Sequence, residues 1–406
     1  MQSQSASRPL EVALLAWDYP PTGTGLATAA REVAESLAAR GHEVRVLALD
    51  ATEDRRAGGV RVVGAGRHLD APLRRLRAEA GTGHLAAPIA FARALAEENA
   101  RRGFDVVEAT NWYAPGACVP RLGLPLVTRC STPVSGTAEA ERPRDVFDAR
   151  AAMLLERHQA RASDGLASNT HHHALKMASL YGVASPGEGG VPHAVIGLSL
   201  PPGHDADLPC APKGPPWRLL FVGRATLRKG YDALAGAARA LGDEFELRLV
   251  GIDPDPSMPA TMHALGRLSD EALATELRAC HAVLAPSRYE SFGLVYQEAI
   301  AAGRPLVACA DDPAARAFVA MQGTGILAAE CTGAAVAAAA RALVVPARYE
   351  AARAACAVAR HRFGRDRLGA ETEALYRAVL QGRKGVSRAR SSAGRAVSVA
   401  PADMAP

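Results

Sequence analysis

The sequence lacks any uninterrupted apolar run near the roughly 20 residues that a bilayer-crossing helix requires. Its first residues, MQSQSASRPL, lack the basic-then-apolar order of a secretion leader. Its seven cysteines, Cys118, Cys130, Cys210, Cys280, Cys309, Cys331 and Cys356, are scattered, odd in number and without a C-x-x-C pair. That pattern argues against a disulfide frame and a cysteine zinc site, and points to reduced thiols in a cytoplasmic protein. A strong excess of one charge is missing too. The formal net charge is +5, and about +4 of it falls after Gln381, where Arg383, Lys384, Arg388, Arg390 and Arg395 meet one acid, Asp403. The near-neutral remainder disfavours a nucleic-acid surface. Residues 382–406 are basic, rich in small residues and too poor in apolar ones to fold alone, so they read as a disordered tail.

What is present suits a soluble α/β protein. The chain has 406 residues and 49% hydrophobic content, enough for two cores. EVALLAWDY has the length and apolarity of a strand, PPTGTG of a turn. LATAAREVAESLAARGHEV then places Val33, Ala34, Leu37 and Ala38 at helical spacing up to Gly41. VRVLALD returns as a strand, closing a βαβ unit. Strands alternating with helices predict a parallel, doubly wound sheet. Near Pro201 the texture becomes proline-rich, after which a second alternating series starts at WRLLFVGR. The expected organisation is a first α/β domain over 1–200, a linker over 201–216, a second α/β domain over 217–364 and a terminal helix over 365–381. Ligands in such sheets sit at the carboxyl ends of the strands, which predicts a cleft between the halves.

Two stretches carry chemistry. PSRYESFGLVYQEAIAAGRPLVA, from Pro286, joins a strand to a helix opening near Gly293. The first N–H groups of a helix are unpaired and its dipole is positive there, so Gly293, Leu294 and Val295 form a candidate anion site. Glu298 lies further along the helix and can accept from vicinal hydroxyls with two oxygens. Glu290 precedes the helix and faces whatever lies beyond the anion. A solvated amphipathic helix could carry the same glutamates. The second stretch, FVGRATLRKGYDAL, sets Gly223 and Arg224 directly after a strand and Lys229 at the next helix start. A departing diphosphate needs such cations where no metal serves it; in isolation they also read as surface residues.

VGR followed by KG, then PS-x-x-E-S-F-G-L-x-x-x-E-A-x-A-x-G-x-P-L-V, resembles the retaining GT-B glycosyltransferases of family 4. The resemblance runs from about Leu14 to Leu380 and implies two Rossmann-like doubly wound domains facing across a cleft. By that resemblance, Glu298 holds the donor ribose, and the backbone of Gly293, Leu294 and Val295 holds the diphosphate beside Phe292. Arg224 and Lys229 stabilise it as it leaves, with Gly223 adjoining. Glu290 binds the donor sugar, and the base rests near Arg267. The loop of Gly23, Thr24 and Gly25 approaches from the opposite domain. Thr24-Gly25 stands where the family usually has two glycines, and TRCST, with Arg129 or Cys130, stands where it often has a histidine near the sugar.

The implied activity is transfer of a sugar from a nucleotide diphosphate sugar to an acceptor hydroxyl. The acceptor is a small molecule, a lipid-linked sugar or a polysaccharide, and neither a cofactor nor a metal is expected. Alternatives are a nucleotide-sugar epimerase or hydrolase of the same fold, or a non-catalytic nucleotide-sugar binder. Asp253-Pro254-Asp255 reads as a stiffened loop rather than a metal site. His171, His172 and His173, consecutive on a helix, point in different directions and make no chelating face. Leu73 to Arg77, LRRLR, reads as a solvated connector in preference to a membrane contact.

Overall fold

EVALLA and WRLLFV, each heading its half of the chain, are mostly apolar without strict alternation, as strands covered on both faces must be. The computed structural model describes residues 8–21, 24–136, 146–200 and 212–396, with side chains to 384. Its first sheet has eight strands: β1 (Glu11–Ala16), β2 (Glu43–Ala48), β3 (Arg55–Ala57), β4 (Val60–Gly64), β5 (Val106–Thr110), β6 (Leu126–Cys130), β7 (Gly165–Ser168) and β8 (His193–Val195). Their order is β3-β4-β2-β1-β5-β6-β7-β8, parallel except where β3 and β4 form an antiparallel pair. The second sheet holds β9 (Trp217–Val222), β10 (Phe245–Val250), β11 (Met262–Gly266), β12 (Ala282–Ala285), β13 (Leu306–Cys309) and β14 (Gly325–Ala328). Its order is β11-β10-β9-β12-β13-β14, parallel throughout.

Helices cover both sheets because their apolar stripes need a partner. The first, Gly25–Ala39, buries Val33, Ala34 and Leu37. In the second lobe, Tyr231–Leu241 buries Leu234, Ala237, Ala238 and Leu241. Leu73 to Arg77, expected as a connector, belongs to a short helix, Ala71–Arg77, capped by Asp70. Of the proposed linker, residues 201–211 lie outside the described residues.

The last helix, Arg365–Ala396, continues past the expected stop at 381. Gly382 and Gly385 each cost a helix only about 1 kcal/mol, too little to end one already propagating. The proposed tail from 397 onward lies outside the described residues. This helix returns to the first lobe, where Leu368, Leu375, Tyr376 and Val379 join the core of the first sheet. Gly369 permits the approach, since a Cβ there would stand 2.8 Å from the Ser36 carbonyl oxygen. Buried charges fasten it. Arg365 pairs with Glu32 at 2.6 Å and Glu35 at 2.7 Å. Arg129 on β6 pairs with Glu108 on β5 at 2.7 Å, Tyr376 donates to the same carboxylate at 2.8 Å, and Arg129 donates to Thr372 at 3.1 Å.

Arg129→Ala strands Glu108 without its guanidinium in the interior. The variant is expected to lose about 3–5 kcal/mol of stability, whereas Tyr376→Phe loses about 1 kcal/mol. Urea unfolding of the intact chain measures both; equal midpoints for Arg129→Ala and wild type would contradict the assignment.

Candidate active site

The chain order reverses between β1 and β5 in the first sheet and between β9 and β12 in the second, so each has a switch point at its carboxyl edge. Both edges open onto one cavity of about 850 Å³. From the first lobe come Trp17 and Asp18 after β1, Thr24 and Gly25 at the first helix, Trp112 and Tyr113 after β5, and Ser131 and Thr132 after β6. From the second come Gly223, Arg224, Arg228 and Lys229 after β9, Arg267 after β11, and Glu290 to Val295 after β12. The structure thus brings together nearly all the predicted site residues, from stretches far apart in the chain.

Gly293 precedes the helix Leu294–Ala301 with φ +61°, a left-handed turn that favours glycine. Its carbonyl accepts from Tyr296 and Gln297, which leaves the Leu294 and Val295 amides at the helix mouth without intrahelical acceptors. The glycine serves the turn rather than ligand clearance: a Cβ there would meet Tyr296 at 3.0 Å and Phe318 at 3.2 Å. Lys229 ends a short 3-10 turn capped by Thr226. Its Nζ lies 2.6 Å from the Glu290 carboxylate, which also accepts from Ser287 at 2.7 Å and Arg228 at 3.2 Å. Burial pushes the Glu290 carboxyl up, but Lys229 and Arg228 outweigh it and hold its pKa below the ordinary value. The Glu290 amide donates to Asp312, which in turn accepts from the Tyr296 hydroxyl. Sequence reasoning passed over Arg228; its signal was a further cation between Arg224 and Lys229 in the same loop.

Glu298 does not line the cavity. Burial raises its pKa to about 7, and the Lys229 charge pulls the other way. Arg224 and Arg267 line the cavity with exposed side chains. Thr24 caps the first helix by accepting from Ala27 at 3.1 Å and bonds to the Asp18 carboxylate. Gly25 faces the other lobe, where its Cβ would stand 3.6 Å from Leu294. Gly23 lies outside the described residues. Cys130 is a correction: its side chain is fully buried, burial lifts its thiol to about 12, and Ser131 and Thr132 face the cavity instead. Arg129 is likewise buried, committed to Glu108.

The lobes touch beside Glu290. Thr132 and Ser291 share a hydroxyl hydrogen bond of 2.6 Å. His173 Nε2 lies 3.2 Å from the Cys130 carbonyl and Nδ1 lies 2.5 Å from the Tyr289 hydroxyl. A carbonyl only accepts, so Nε2 carries the proton and Nδ1 accepts from tyrosine. Burial depresses the His173 pKa to about 4. Lys176 stands 3.4 Å above the Tyr289 ring.

The first-lobe wall is aromatic. Trp112 packs on Tyr113 at 4.8 Å and on Trp17 at 5.8 Å, and Trp17 donates to the Trp112 carbonyl at 2.9 Å. Tyr113 and Ala114 adopt φ of +50° and +47°, a costly conformation for residues with a Cβ. Buried Glu156 holds this turn, accepting from the Tyr113 amide at 3.2 Å, the Val134 amide at 3.1 Å and the Tyr181 hydroxyl at 2.9 Å.

Two doubly wound lobes sharing one cleft at both switch points define a GT-B-type protein. Residues 24–188 match the family described as "Glycosyl transferase 4-like domain", and residues 211–346 match "Glycosyl transferases group 1". A D-inositol 3-phosphate glycosyltransferase of Kineococcus radiotolerans is 30% identical over 397 residues, 87% of this chain and 90% of that one. Another, from Catenulispora acidiphila, is 32% identical over 316 residues, covering 70% and 74%. Sucrose-phosphate synthase from Thermosynechococcus elongatus superposes with a TM-score of 0.66 at 20% identity, covering 94% of this chain and 99% of that one. HepE of Anabaena in complex with UDP-glucose gives 0.61 at 16% identity, covering 90% and 99%. The chain belongs to the group 1 glycosyltransferases, family 4, and is a nucleotide-sugar glycosyltransferase.

Glu156 and Glu298 both carry pKa values raised by burial to about 7 from 4.5. Between those values the folded chain keeps protons that the unfolded chain has released. The resulting stabilisation is fully present below pH 4.5 and is lost as pH rises through 7. Glu156→Gln is expected to flatten this decline by one group's share. Urea midpoints taken across pH 4.5 to 7.5 test it; an unaltered slope would contradict it.

Proposed function

We propose that the cleft transfers a sugar from a UDP-sugar to an acceptor hydroxyl, with retention of configuration and without a metal ion. The observation that carries this reading is the second-lobe wall, where Arg224, Arg228 and Lys229 share one cavity with the free amides at the mouth of the glutamate helix. Fixed cations and amide dipoles in a partly dry cleft stabilise charge as it develops on a leaving diphosphate. Glu290, ionised between Lys229 and Arg228, steadies positive charge on the sugar. The ribose diol is assigned to Glu298, which lies in the same helix but not on the cavity lining, and the base to the neighbourhood of Arg267. The choice of uridine is supported by the UDP-glucose bound to HepE. We place the reaction in the cytoplasm, consistent with Cys118, Cys130, Cys280, Cys309, Cys331 and Cys356 being free thiols.

Arg224→Ala, Arg228→Ala and Lys229→Ala are each expected to lower kcat by about 100-fold, while Glu298→Gln chiefly weakens UDP binding. A diol donates to a carboxylate better than to a carboxylic acid, so binding draws the Glu298 pKa down. UDP affinity should therefore rise several-fold from about pH 6 to about pH 8, and this rise should vanish in Glu298→Gln. Steady-state kinetics with and without a chelator, and calorimetric UDP titrations across that range, read all of these. Full activity in every cation variant would overturn the donor assignment.

A further inference from the structure

The cavity's two walls carry opposite charge. Among the described residues, the second lobe lines it with Arg224, Arg228, Lys229 and Arg267 against Glu290. The first lobe lines it with Asp18, Glu79 and Asp148 against Arg77. A donor diphosphate belongs on the basic wall. A phosphate on the acceptor would then lie near the acidic one, where like charges repel in a cleft of reduced dielectric.

The acidic wall is also the aromatic one. Two of the chain's three tryptophans stand in it. Trp112 meets Trp17 at 78° and Tyr113 at 75°, so the rings form a corner rather than a stack. Aromatic faces pack against the C–H face of a ring polyol and attract cations. His84 lies 5.2 Å from the Tyr113 ring and 2.9 Å from Asp148, whose carboxylate also accepts from the Gly81 amide. That pair offers both a donor and an acceptor to hydroxyls. Glu156, wholly behind the corner, keeps the strained Tyr113 turn in place.

Resting on the glycosyltransferase reading above, we propose that the acceptor is an unphosphorylated polyhydroxylated ring, neutral or amine-bearing. It sits between the aromatic corner of Trp17, Trp112 and Tyr113 and the carboxylates of Asp18, Glu79 and Asp148. Its hydroxyl oxygen bonds to the anomeric carbon as the bond from that carbon to phosphate breaks. The electron pair leaves on the diphosphate, which takes the hydroxyl proton. This acceptor differs from the inositol phosphate for which the curated relatives are named.

The test titrates the full chain, saturated with UDP, with myo-inositol, glucosamine and inositol 3-phosphate, following tryptophan fluorescence. The two unphosphorylated rings are expected to quench with Kd values at least about tenfold lower than the phosphate. Trp112→Leu should abolish the response. Glu79→Arg, at an exposed position, should shift the preference toward inositol 3-phosphate by about threefold or more. Thermal shift by UDP in the same samples verifies folding and donor binding. With UDP bound, tighter binding of inositol 3-phosphate, quenching by none of the rings, or an unmoved preference in Glu79→Arg would overturn the acceptor class alone. Failure of UDP to bind the wild type would instead strike the donor reading.

Discussion

The ion pair between Lys229 and Glu290, 2.6 Å long and largely buried, holds the basic wall of the cleft together. It joins the loop after β9 to the loop after β12, the two segments that flank the switch point of the second sheet. A buried pair is stable only where its remaining hydrogen-bonding capacity is met. Here Arg228 and Ser287 complete the carboxylate, and Asp312 receives the Glu290 amide. The loop cations are therefore held where the helix mouth at Gly293 already presents unpaired amides. Charge is prearranged before any ligand arrives, which is the arrangement that stabilises a leaving anion most.

The same short segment also fixes the lobes to each other. Tyr289 and Ser291, on either side of Glu290, reach His173 and Thr132 of the first lobe. Phe292 and Leu294 pack against the first lobe's core. On the far side, the terminal helix leaves the second lobe and buries Tyr376 against Glu108. The cleft is thus bounded by a polar seam beside the site and a buried charge network behind it. Its walls differ in kind, one basic and rich in free amides, the other aromatic and acidic.

Much of the fold was legible because its signals are local. Apolar runs of strand length, alternating with helical spacing and separated by glycine turns, identify two doubly wound halves without any knowledge of contacts. Much of the basic wall was legible for the same reason. Gly293 and Glu290 sit within one strand-turn-helix unit, as do Gly223, Arg224 and Lys229, and a helix mouth attracts anions wherever it occurs. The terminal helix outran its expected end because isolated glycines such as Gly382 and Gly385 each cost a propagating helix only about 1 kcal/mol. Cys130 was assigned to the cavity because TRCST stands where the resembled family often has a histidine, and a resemblance of sequence does not show on which face of a strand a side chain emerges.

The sequence by itself determined a doubly wound α/β fold and the position of the helix mouth, since both follow from periodicity and short-range chemistry. The roles of Arg224 and Lys229 rested on the family resemblance, and Arg228 emerged only from the structure. Only the tertiary structure decided which residues form the opposite wall. Trp17, His84, Trp112 and Asp148 come from four separate stretches and meet only because the strand order reverses between β1 and β5. It also decided that Arg129 and Cys130 turn inward while Ser131 and Thr132 face the cleft. Burial and long-range pairing are properties of the assembled sheets, and no local pattern of residue types contains them.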